Sequence, residues 1–271
     1  MKRFELIALD MDGTTLNKKG EISEANRIAI NEIYKMGIKV SLISGRSMES
    51  LTKYAHILGI DGYHGAMNGN IVFDVKSSEK LIEHHVDVEI LKQLIKISQV
   101  TTSILVVFID DDTYVEDLSH PFAGILQKFT DRKLIEMGDA LDFLCLNAAL
   151  DKVTKIAFLN EYEDLLKLKN TELLPFHNSL NMVFSLPFCL EIFSRTASKG
   201  SCLLEICNLY GIDPKNTLAM GDAENDIEML KNSGYGISPA NCMPTVIEYA
   251  DEITTTNEKN AVAEVIKKYF L

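Results

Sequence analysis

The sequence predicts an α/β fold in which a doubly wound parallel sheet is interrupted by a separate α+β insertion. Residues 4–82 alternate between short apolar runs and helical patterns, which is typical of the strand–helix units of a parallel sheet. The character of the sequence changes between about 83 and 193. Polar residues lie at the ends of three predicted strands, which is where open α/β sheets bind their ligands.

The hydrophobic pattern of the first segment predicts core strands with helices between them. Phe4–Leu9 is apolar apart from Glu5, as expected of a strand that is buried on both faces. The next predicted elements are a helix over about 24–36, a strand over 38–44, a helix over about 47–58 and a strand near 62–66. Asn68-Gly69 then predicts a tight turn into a hairpin strand at 70–73.

The insertion mixes helices and strands in a different order. Asp87 can cap a helix that carries Ile90, Leu91, Leu94 and Ile95. The other predicted elements are strands at Ser103–Ile109, Thr113–Val115, Lys155–Leu159, Asn181–Leu186 and Cys189–Phe193 and a helix at Glu161–Lys169. The acidic run Asp110–Asp112 is interpreted as a solvated turn, because it lacks the glycine of a calcium loop. We expect a core domain of residues 1–82 and 194–271 and an inserted domain of residues 83–193.

Composition narrows the classes of function. The chain has 271 residues, 46% of them hydrophobic, which is enough for a large buried core. Its 27 basic and 39 acidic residues give a net charge of −12, which argues against nucleic-acid or anionic-membrane binding. The longest stretch without charged residues, 173–190, contains two prolines, so no membrane span is expected.

The cysteines and the first residues of the chain indicate the cellular compartment in which the protein is expected. Five cysteines, an odd number without Cys-x-x-Cys spacing, indicate reduced thiols and a cytoplasmic protein. No signal peptide is expected, because the first predicted strand begins at about Phe4 and reaches Asp10 directly.

Two aspartates follow the first predicted strand. In an extended segment Asp10 and Asp12 share a face, so both carboxylates can point into one site. Carboxylates so close repel each other, and a magnesium ion, which prefers oxygen ligands, would relieve that repulsion. Gly13 allows close approach of the backbone to a bound group. The alternative is a polar turn after a strand, since Asp and Gly favour turns.

The run Asp10-Met11-Asp12-Gly13-Thr14 resembles the first motif of the haloacid dehalogenase-like hydrolases. The resemblance implies that Asp10 attacks phosphorus and that Asp12 handles protons. It also implies a Mg²⁺ ion held by the side chains of Asp10 and Asp222 and by the main-chain carbonyl of Asp12. Amide N–H groups near Met11 and Gly45 would hold the transferring phosphoryl group.

Two further motifs of this family are matched in order. Ser44-Gly45-Arg46 ends the second predicted core strand, where a hydroxyl and N–H groups at a helix entrance can cradle phosphate. Taken alone, Ser44 is more simply a helix cap or turn residue. Lys199 precedes a predicted helix at 201–210 and would add positive charge to the phosphate site, although most lysines are solvated surface residues. Arg46 could supply local positive charge as well.

The fourth motif, Gly221-Asp222-Ala223-Glu224-Asn225-Asp226, matches every specified position of the family pattern. It follows a predicted strand at Thr217–Met220 and precedes a helical stretch at 227–231. Asp222 would complete the metal shell, Asn225 would offer its amide to phosphate, and Asp226 would support the metal's waters. An acidic cluster that complements a helix dipole is the alternative interpretation.

The insertion resembles the large cap domain of the Cof-type branch of this family, whose core is Rossmann-like. Relatives of that branch often carry Asn-Gly-Ala near the substrate, where this chain has Asn68-Gly69-Asn70. Asn68 and Gly69, together with Arg46, are therefore expected to contact the substrate.

The resemblance predicts a magnesium-dependent phosphatase, a phosphoric monoester hydrolase that acts through an aspartyl-phosphate intermediate. The expected partner is a small phosphorylated metabolite, with sugar phosphates as the default class for such caps. Two alternatives stay open at this point: a sugar phosphomutase or phosphotransferase, and a catalytically silent metabolite-binding protein.

Overall fold

The computed structural model describes residues 4–110, 112–130 and 133–271. The strands are β1 Leu6–Leu9, β2 Lys39–Leu42, β3 Tyr63–Ala66, β4 Ile71–Asp74, β5 Glu79–Glu83, β6 Ile104–Ile109, β7 Asp112–Val115, β8 Ile135–Glu136, β9 Val153–Leu159, β10 Leu180–Leu186, β11 Cys189–Ser194, β12 Thr217–Met220, β13 Tyr235–Pro239 and β14 Glu252–Thr254. The helices are α1 Glu24–Lys35, α2 Met48–Leu58, α3 Val88–Val100, α4 Pro121–Leu126, α5 Ala140–Leu146, α6 Tyr162–Asn170, α7 Lys199–Tyr210, α8 Ile227–Asn232 and α9 Ala261–Tyr269. None of these helices is both long and apolar enough to cross a membrane.

The chain forms two compact units. The first comprises Met1–Ile82 and Ser198–Leu271, and the second comprises Glu83–Ala197. The first division between the units falls between Ile82 and Glu83. The second connection lies slightly after the expected boundary at residue 193, because the chain leaves β11 through the turn that precedes Ser198.

The first unit is built on a five-stranded parallel sheet with the order β14-β13-β12-β1-β2. Leu6 and Ala8 of β1 belong to a buried cluster with residues of α7 and α8. Ile7 and Leu9 alternate with them, point to the opposite face and are fully buried as well. The sheet is therefore covered on both faces, which confirms the predicted doubly wound α/β core.

A second, three-stranded sheet with the order β3-β4-β5 belongs mainly to the first unit. β3 and β4 form the predicted antiparallel hairpin. The connection between them is a short turn over Met67–Gly69. β3 also touches the parallel sheet through an isolated bridge between Ile43 and Gly65.

The second unit contains a six-stranded sheet with the order β10-β11-β9-β6-β7-β8. Its neighbouring strands are antiparallel except for β7 and β8. One face packs against α3, α5 and α6, and the other packs against α4. A buried ion pair joins Lys155 and Glu191 at 2.8 Å. This mixed arrangement confirms an α+β insertion; of the predicted acidic turn between β6 and β7, Asp111 lies outside the described residues.

Candidate active site

Three neighbouring parallel strands bring the sequence motifs to one edge of the sheet. Leu9 of β1 is in register with Met220 of β12 and with Leu42 of β2. The residues that follow these strand ends, Asp10, Asp222 and Ser44, therefore lie at the carboxyl edge of the sheet. This edge is the position at which open α/β sheets bind ligands.

A buried lysine joins two buried carboxylates at the centre of this edge. The Nζ atom of Lys199 donates to Oδ1 of Asp10 and to Oδ1 of Asp226, each at 2.6 Å. Lys199 is the first residue of α7, and the hydroxyl of Ser198 caps that helix by accepting from the N–H of Ser201. A positive charge at a helix N-terminus opposes the helix dipole, so the two ion pairs must compensate for that placement.

Burial sets the protonation behaviour of the cluster. Burial and the nearby Asp226 carboxylate raise the pKa of Asp10 well above its ordinary value. The same two causes raise the pKa of Asp222 to about 6. Burial alone would lower the pKa of Lys199, but attraction by Asp10 and Asp226 outweighs it and raises that pKa. The lysine is therefore a fixed cation among carboxylates that lack a full complement of positive charge.

The segment after β1 differs from the extended conformation that the sequence predicts. Met11–Thr15 forms a turn that is closed by a hydrogen bond from the N–H of Leu16 to the carbonyl of Met11. Within this turn Asp12 is extended (φ −77°, ψ 122°) and Gly13 has φ +81°. A Cβ atom at Gly13 would overlap the carboxylate of Asp222, so close approach as well as backbone conformation requires glycine here. Regular strand alternation does not extend to Asp10 and Asp12, because the strand ends at Leu9, and the two carboxylates have different partners, Lys199 and Arg46.

The carboxylate of Asp12 pairs with Arg46 rather than with the lysine. Nε of Arg46 donates to Oδ2 of Asp12 at 2.8 Å, and Nη2 donates to Oδ1 at 2.7 Å. The side chain of Asp12 is 61% exposed, whereas that of Asp10 is 5% exposed. The two aspartates of the first motif thus have different environments, one buried beside Lys199 and one open to solvent.

The fourth motif folds into a tight loop after β12. Oδ2 of Asp226 accepts from the main-chain N–H groups of Asp222 and Ala223, each at 3.0 Å. Because its other oxygen binds Lys199, Asp226 has partners on both carboxylate oxygens. Nδ2 of Asn225 donates to Oδ1 of Asn68 at 2.9 Å. The fourth motif is therefore connected both to α7 and to the turn between β3 and β4.

The other predicted site residues surround the same edge. Ser44 is buried, and its hydroxyl accepts from the N–H of Arg46 at 3.4 Å. Gly45 lies against the amide of Asn68, and Gly69 lies against the main-chain carbonyl of Ser198. The side chain of Met11 is fully buried, so only its main chain can face a ligand.

Two polar side chains that the sequence analysis did not assign to the site also shape it. The hydroxyl of Thr14 donates to Oδ1 of Asp222 at 2.9 Å. Its position next to Gly13 in the first motif could have identified Thr14 as a site residue. Nδ2 of Asn241 donates to the carbonyl of Gly13 at 2.8 Å, while its Oδ1 accepts from the N–H of Asn257 at 2.9 Å. No spacing signal indicates Asn241, because its partners are far away in the sequence.

The carboxylates form a group that suits a hard cation. Among the described residues, Asp10, Asp222 and Asp226 each offer an oxygen, and these oxygens lie within 4.8 Å of one another. Burial and the neighbouring Asp226 carboxylate raise the pKa values of Asp10 and Asp222, so a bound cation would stabilise their ionised forms. An all-oxygen donor set of this kind suits Mg²⁺. Since both oxygens of Asp226 already have partners, Asp10 and Asp222 are the more accessible ligands.

Comparison with known proteins identifies the family that the chain resembles. A family model for haloacid dehalogenase-like hydrolases matches residues 7–266. The 5-amino-6-(5-phospho-D-ribitylamino)uracil phosphatase YcsE of Bacillus subtilis (strain 168) is 26% identical over 272 residues, which cover 99% of this chain and 96% of that protein. The HMP-PP phosphatase of Cronobacter sakazakii (strain ATCC BAA-894) is 25% identical over 247 residues, which cover 89% of this chain and 85% of that protein.

A solved structure supports the same assignment. The crystal structure of a haloacid dehalogenase-like hydrolase from Bacteroides thetaiotaomicron has a TM-score of 0.87 and 26% identity, and the match covers 99% of this chain and 100% of that chain. The resemblance seen in the motifs and the predicted enzyme class, a phosphoric monoester hydrolase, are thereby confirmed. The chain belongs to the haloacid dehalogenase-like hydrolases.

Proposed function

We propose that the protein is a magnesium-dependent phosphatase that hydrolyses a small phosphorylated metabolite through an aspartyl-phosphate on Asp10. The observation that carries the proposal is the buried pair of Asp10 and Lys199, with Nζ and Oδ1 2.6 Å apart. The ammonium group of Lys199 favours the ionised, nucleophilic form of Asp10 against the effect of burial, and a bound metal ion would favour that form further. We expect a sugar phosphate, while the relatives named above act on other phosphorylated metabolites according to their names.

The proposed reaction uses residues of the first unit. An oxygen of Asp10 attacks phosphorus, the bond from phosphorus to the leaving oxygen breaks, and Asp12 protonates the departing alkoxide. Asp12 then takes a proton from water as that water attacks phosphorus and releases Asp10. Lys199 opposes the effect of burial on the pKa of Asp10, and a bound Mg²⁺ would favour the ionised form further. Ser44, Asn225 and the N–H groups near Met11 and Gly45 hold the phosphoryl oxygens. Bound Mg²⁺ would neutralise charge on those oxygens.

The ion pair between Asp12 and Arg46 sets a condition on proton transfer. Both oxygens of Asp12 accept hydrogen bonds from Arg46. Delivery of a proton by Asp12 therefore requires one of the two side chains to rotate. In this proposal Arg46, Asn68 and Gly69 lie near the substrate, residues 83–193 act as the cap that selects it, and Asp226 supports the metal's waters. The absence of disulfides among the five cysteines supports a cytoplasmic location.

Substitution of the nucleophile tests the covalent mechanism. Asp10→Asn keeps the shape of the side chain but removes its charge, so turnover of phosphoesters with Mg²⁺ should fall by several orders of magnitude. The exposed Asp61→Asn variant is a matched control that should keep wild-type turnover. Released inorganic phosphate should equal substrate consumed, whereas a phosphotransferase would release less. Retention of more than a tenth of wild-type turnover by Asp10→Asn would contradict the proposal.

Metal titration tests the division of labour among the aspartates. The side chain of Asp222 lies in the carboxylate cluster, whereas that of Asp12 is paired with Arg46. Asp222→Asn should therefore weaken Mg²⁺ binding, measured by calorimetry, more than Asp12→Asn does. Asp12→Asn should still slow turnover by about 10²–10⁴-fold through lost proton transfer. Weaker Mg²⁺ affinity in Asp12→Asn than in Asp222→Asn would reverse this assignment.

A further inference from the structure

The turn between β3 and β4 has an unusual backbone. Met67, Asn68 and Gly69 have φ values of 52°, 59° and 89°, so three successive residues adopt the left-handed region. Glycine adopts this region freely and asparagine at modest cost, but for methionine the conformation is unfavourable by about 1–2 kcal/mol of free energy. Such strain persists only where the surroundings determine the conformation, and it is concentrated at functional sites.

One set of contacts ties this turn to the loop after β2. The N–H of Asn68 donates to the carbonyl of Ser44 at 2.9 Å, and the N–H of Met67 donates to the carbonyl of Arg46 at 2.9 Å. A Cβ atom at Gly45 would lie 3.1 Å from Oδ1 of Asn68, so the Asn68 amide lies directly against that glycine. The turn therefore fixes the loop that we propose to bind phosphate.

A second set of contacts runs to the fourth motif and to α7. Oδ1 of Asn68 accepts from Nδ2 of Asn225 at 2.9 Å, and the side chain of Asn68 is almost completely buried. Oδ1 of Asn225 is buried and has no partner among the described residues. Gly69 packs against the carbonyl of Ser198, which precedes Lys199. Asn68 thus lies between two groups of proposed phosphate-binding residues.

The contact with Asn68 selects one of two orientations of the Asn225 amide. Rotation of that amide by half a turn would place its oxygen against Oδ1 of Asn68, and two acceptors repel each other. In the observed orientation one N–H of Nδ2 is used by Asn68, and the direction of the second N–H is thereby fixed. That second N–H is the donor available to a phosphoryl oxygen.

We propose that Asn68 is a positioning residue for the phosphoryl group: its side chain orients the Asn225 amide and its main chain holds the Ser44–Arg46 loop. This role differs from the expectation that Asn68 contacts the substrate directly. The inference rests on the proposed phosphatase function and assigns within it a residue that acts through Asn225.

A double-mutant cycle with inorganic phosphate as the probe tests the inference. Asn68→Gly keeps the left-handed backbone and removes the amide, and Asn225→Ala removes its partner. Asn68→Gly should lower kcat/KM by about tenfold, the worth of one lost hydrogen bond, for phosphoesters with unrelated leaving groups. The inhibition constant of phosphate should rise by the same factor. Adding Asn68→Gly to Asn225→Ala should cause little further loss.

Asn260→Gly is the matched control, because Asn260 also has a positive φ of 63° but lies at the start of α9. It should change thermal stability without changing phosphate inhibition. If Asn68→Gly folds poorly by circular dichroism, Asn68→Ser takes its place in the cycle, since serine lacks the amide oxygen that accepts from Asn225.

Three results would overturn the inference. They are additive losses in the double mutant, unchanged phosphate inhibition in Asn68→Gly, and losses that depend on the leaving group. The last of these would identify Asn68 as a leaving-group ligand. Failure of the proposed function is separate, because it is seen in the wild-type protein alone as absence of phosphoester turnover with Mg²⁺.

Discussion

Single residues determine how an acidic chain can hold a phosphate group. The net charge of −12 creates no general attraction for anions, so positive charge must be supplied locally. Lys199 supplies it in a buried position, with a carboxylate on each side of its ammonium group. Because two carboxylates share this one ammonium group, a bound cation would compensate the remaining negative charge.

His64 is a buried residue outside the site that the sequence analysis did not single out. Its Nδ1 accepts from the main-chain N–H of Leu42 at 2.9 Å, so an imidazole on β3 serves as an acceptor for β2. Nε2 is buried without a hydrogen-bond partner among the described residues. Burial lowers the pKa of His64 to about 3. The neutral imidazole therefore helps to hold β2 and β3 together through this hydrogen bond.

The first prediction concerns stability in acid. The unfolded chain binds a proton at His64 below pH 6.5, whereas the folded protein does not until about pH 3. As pH falls through this range, protonation of His64 in the unfolded chain therefore lowers the free energy of unfolding by about 1.4 kcal/mol per pH unit. In His64→Asn the amide oxygen can replace Nδ1 as acceptor and cannot titrate. Urea unfolding between pH 7 and 4.5 should therefore show a shallower acid loss in the variant.

The exposed His56→Asn variant on α2 controls for the loss of a histidine as such, and its pH profile should parallel that of the wild type. If His64→Asn also paralleled the wild type, protonation of His64 would not limit stability in acid.

At the scale of elements, α7 connects the substrate edge to the hydrophobic core. Its first residue is Lys199, and it buries Leu203, Ile206 and Cys207 in the cluster beneath the parallel sheet. Gly69 contacts the N-terminal end of this helix, and Gly211 forms its C-terminal cap. Both glycines have positive φ values, +89° and +67°, but a Cβ at Gly69 would overlap the carbonyl of Ser198, whereas nothing lies near Gly211.

The second prediction uses these two glycines as a matched pair. Gly211→Ala should cost about 1–2 kcal/mol in free energy of unfolding, because only the left-handed backbone is penalised. Gly69→Ala should cost clearly more and should also reduce turnover, because its Cβ must displace Ser198 at the start of α7. Chemical denaturation and steady-state kinetics measure the two effects. Equal losses in both variants, with turnover unchanged, would mean that the contact with Ser198 does not constrain α7.

Elements next to a recognisable motif or cap could be predicted from the sequence, and several elements without such a signal could not. The predicted strand at 217–220 matches β12, and the predicted cap Asp87 does accept from the N–H groups of Glu89 and Ile90. The helices α4 and α5 were missed because so few residues give no clear period, and α9 was missed although it is amphipathic. The turn over Met11–Thr15 was not predicted, because the sequence of the motif does not indicate where the strand ends and the turn begins.

At the scale of the whole molecule, the order of the motifs indicated which residues would lie close together. Which side chains form hydrogen bonds with each other within the site could be seen only in the three-dimensional structure. Sequence placed Asp10, Ser44 and Asp222 at strand ends, and the parallel register brings those ends to one edge. It could not indicate that Arg46 binds Asp12 or that Asn225 binds Asn68, because these contacts depend on side-chain directions across distant segments.

The last prediction is that the two units unfold separately. Each has its own buried core: Leu94 belongs to that of the second unit and Ile206 to that of the first, and both are fully buried. Truncation of either to alanine should cost about 2–5 kcal/mol in its own unit. Calorimetry should therefore show two transitions, each lowered by one variant only. Mg²⁺ should raise only the transition that Ile206→Ala lowers, because a ligand stabilises the unit that binds it. A single transition lowered by both variants would instead mean that the units unfold as one cooperative body.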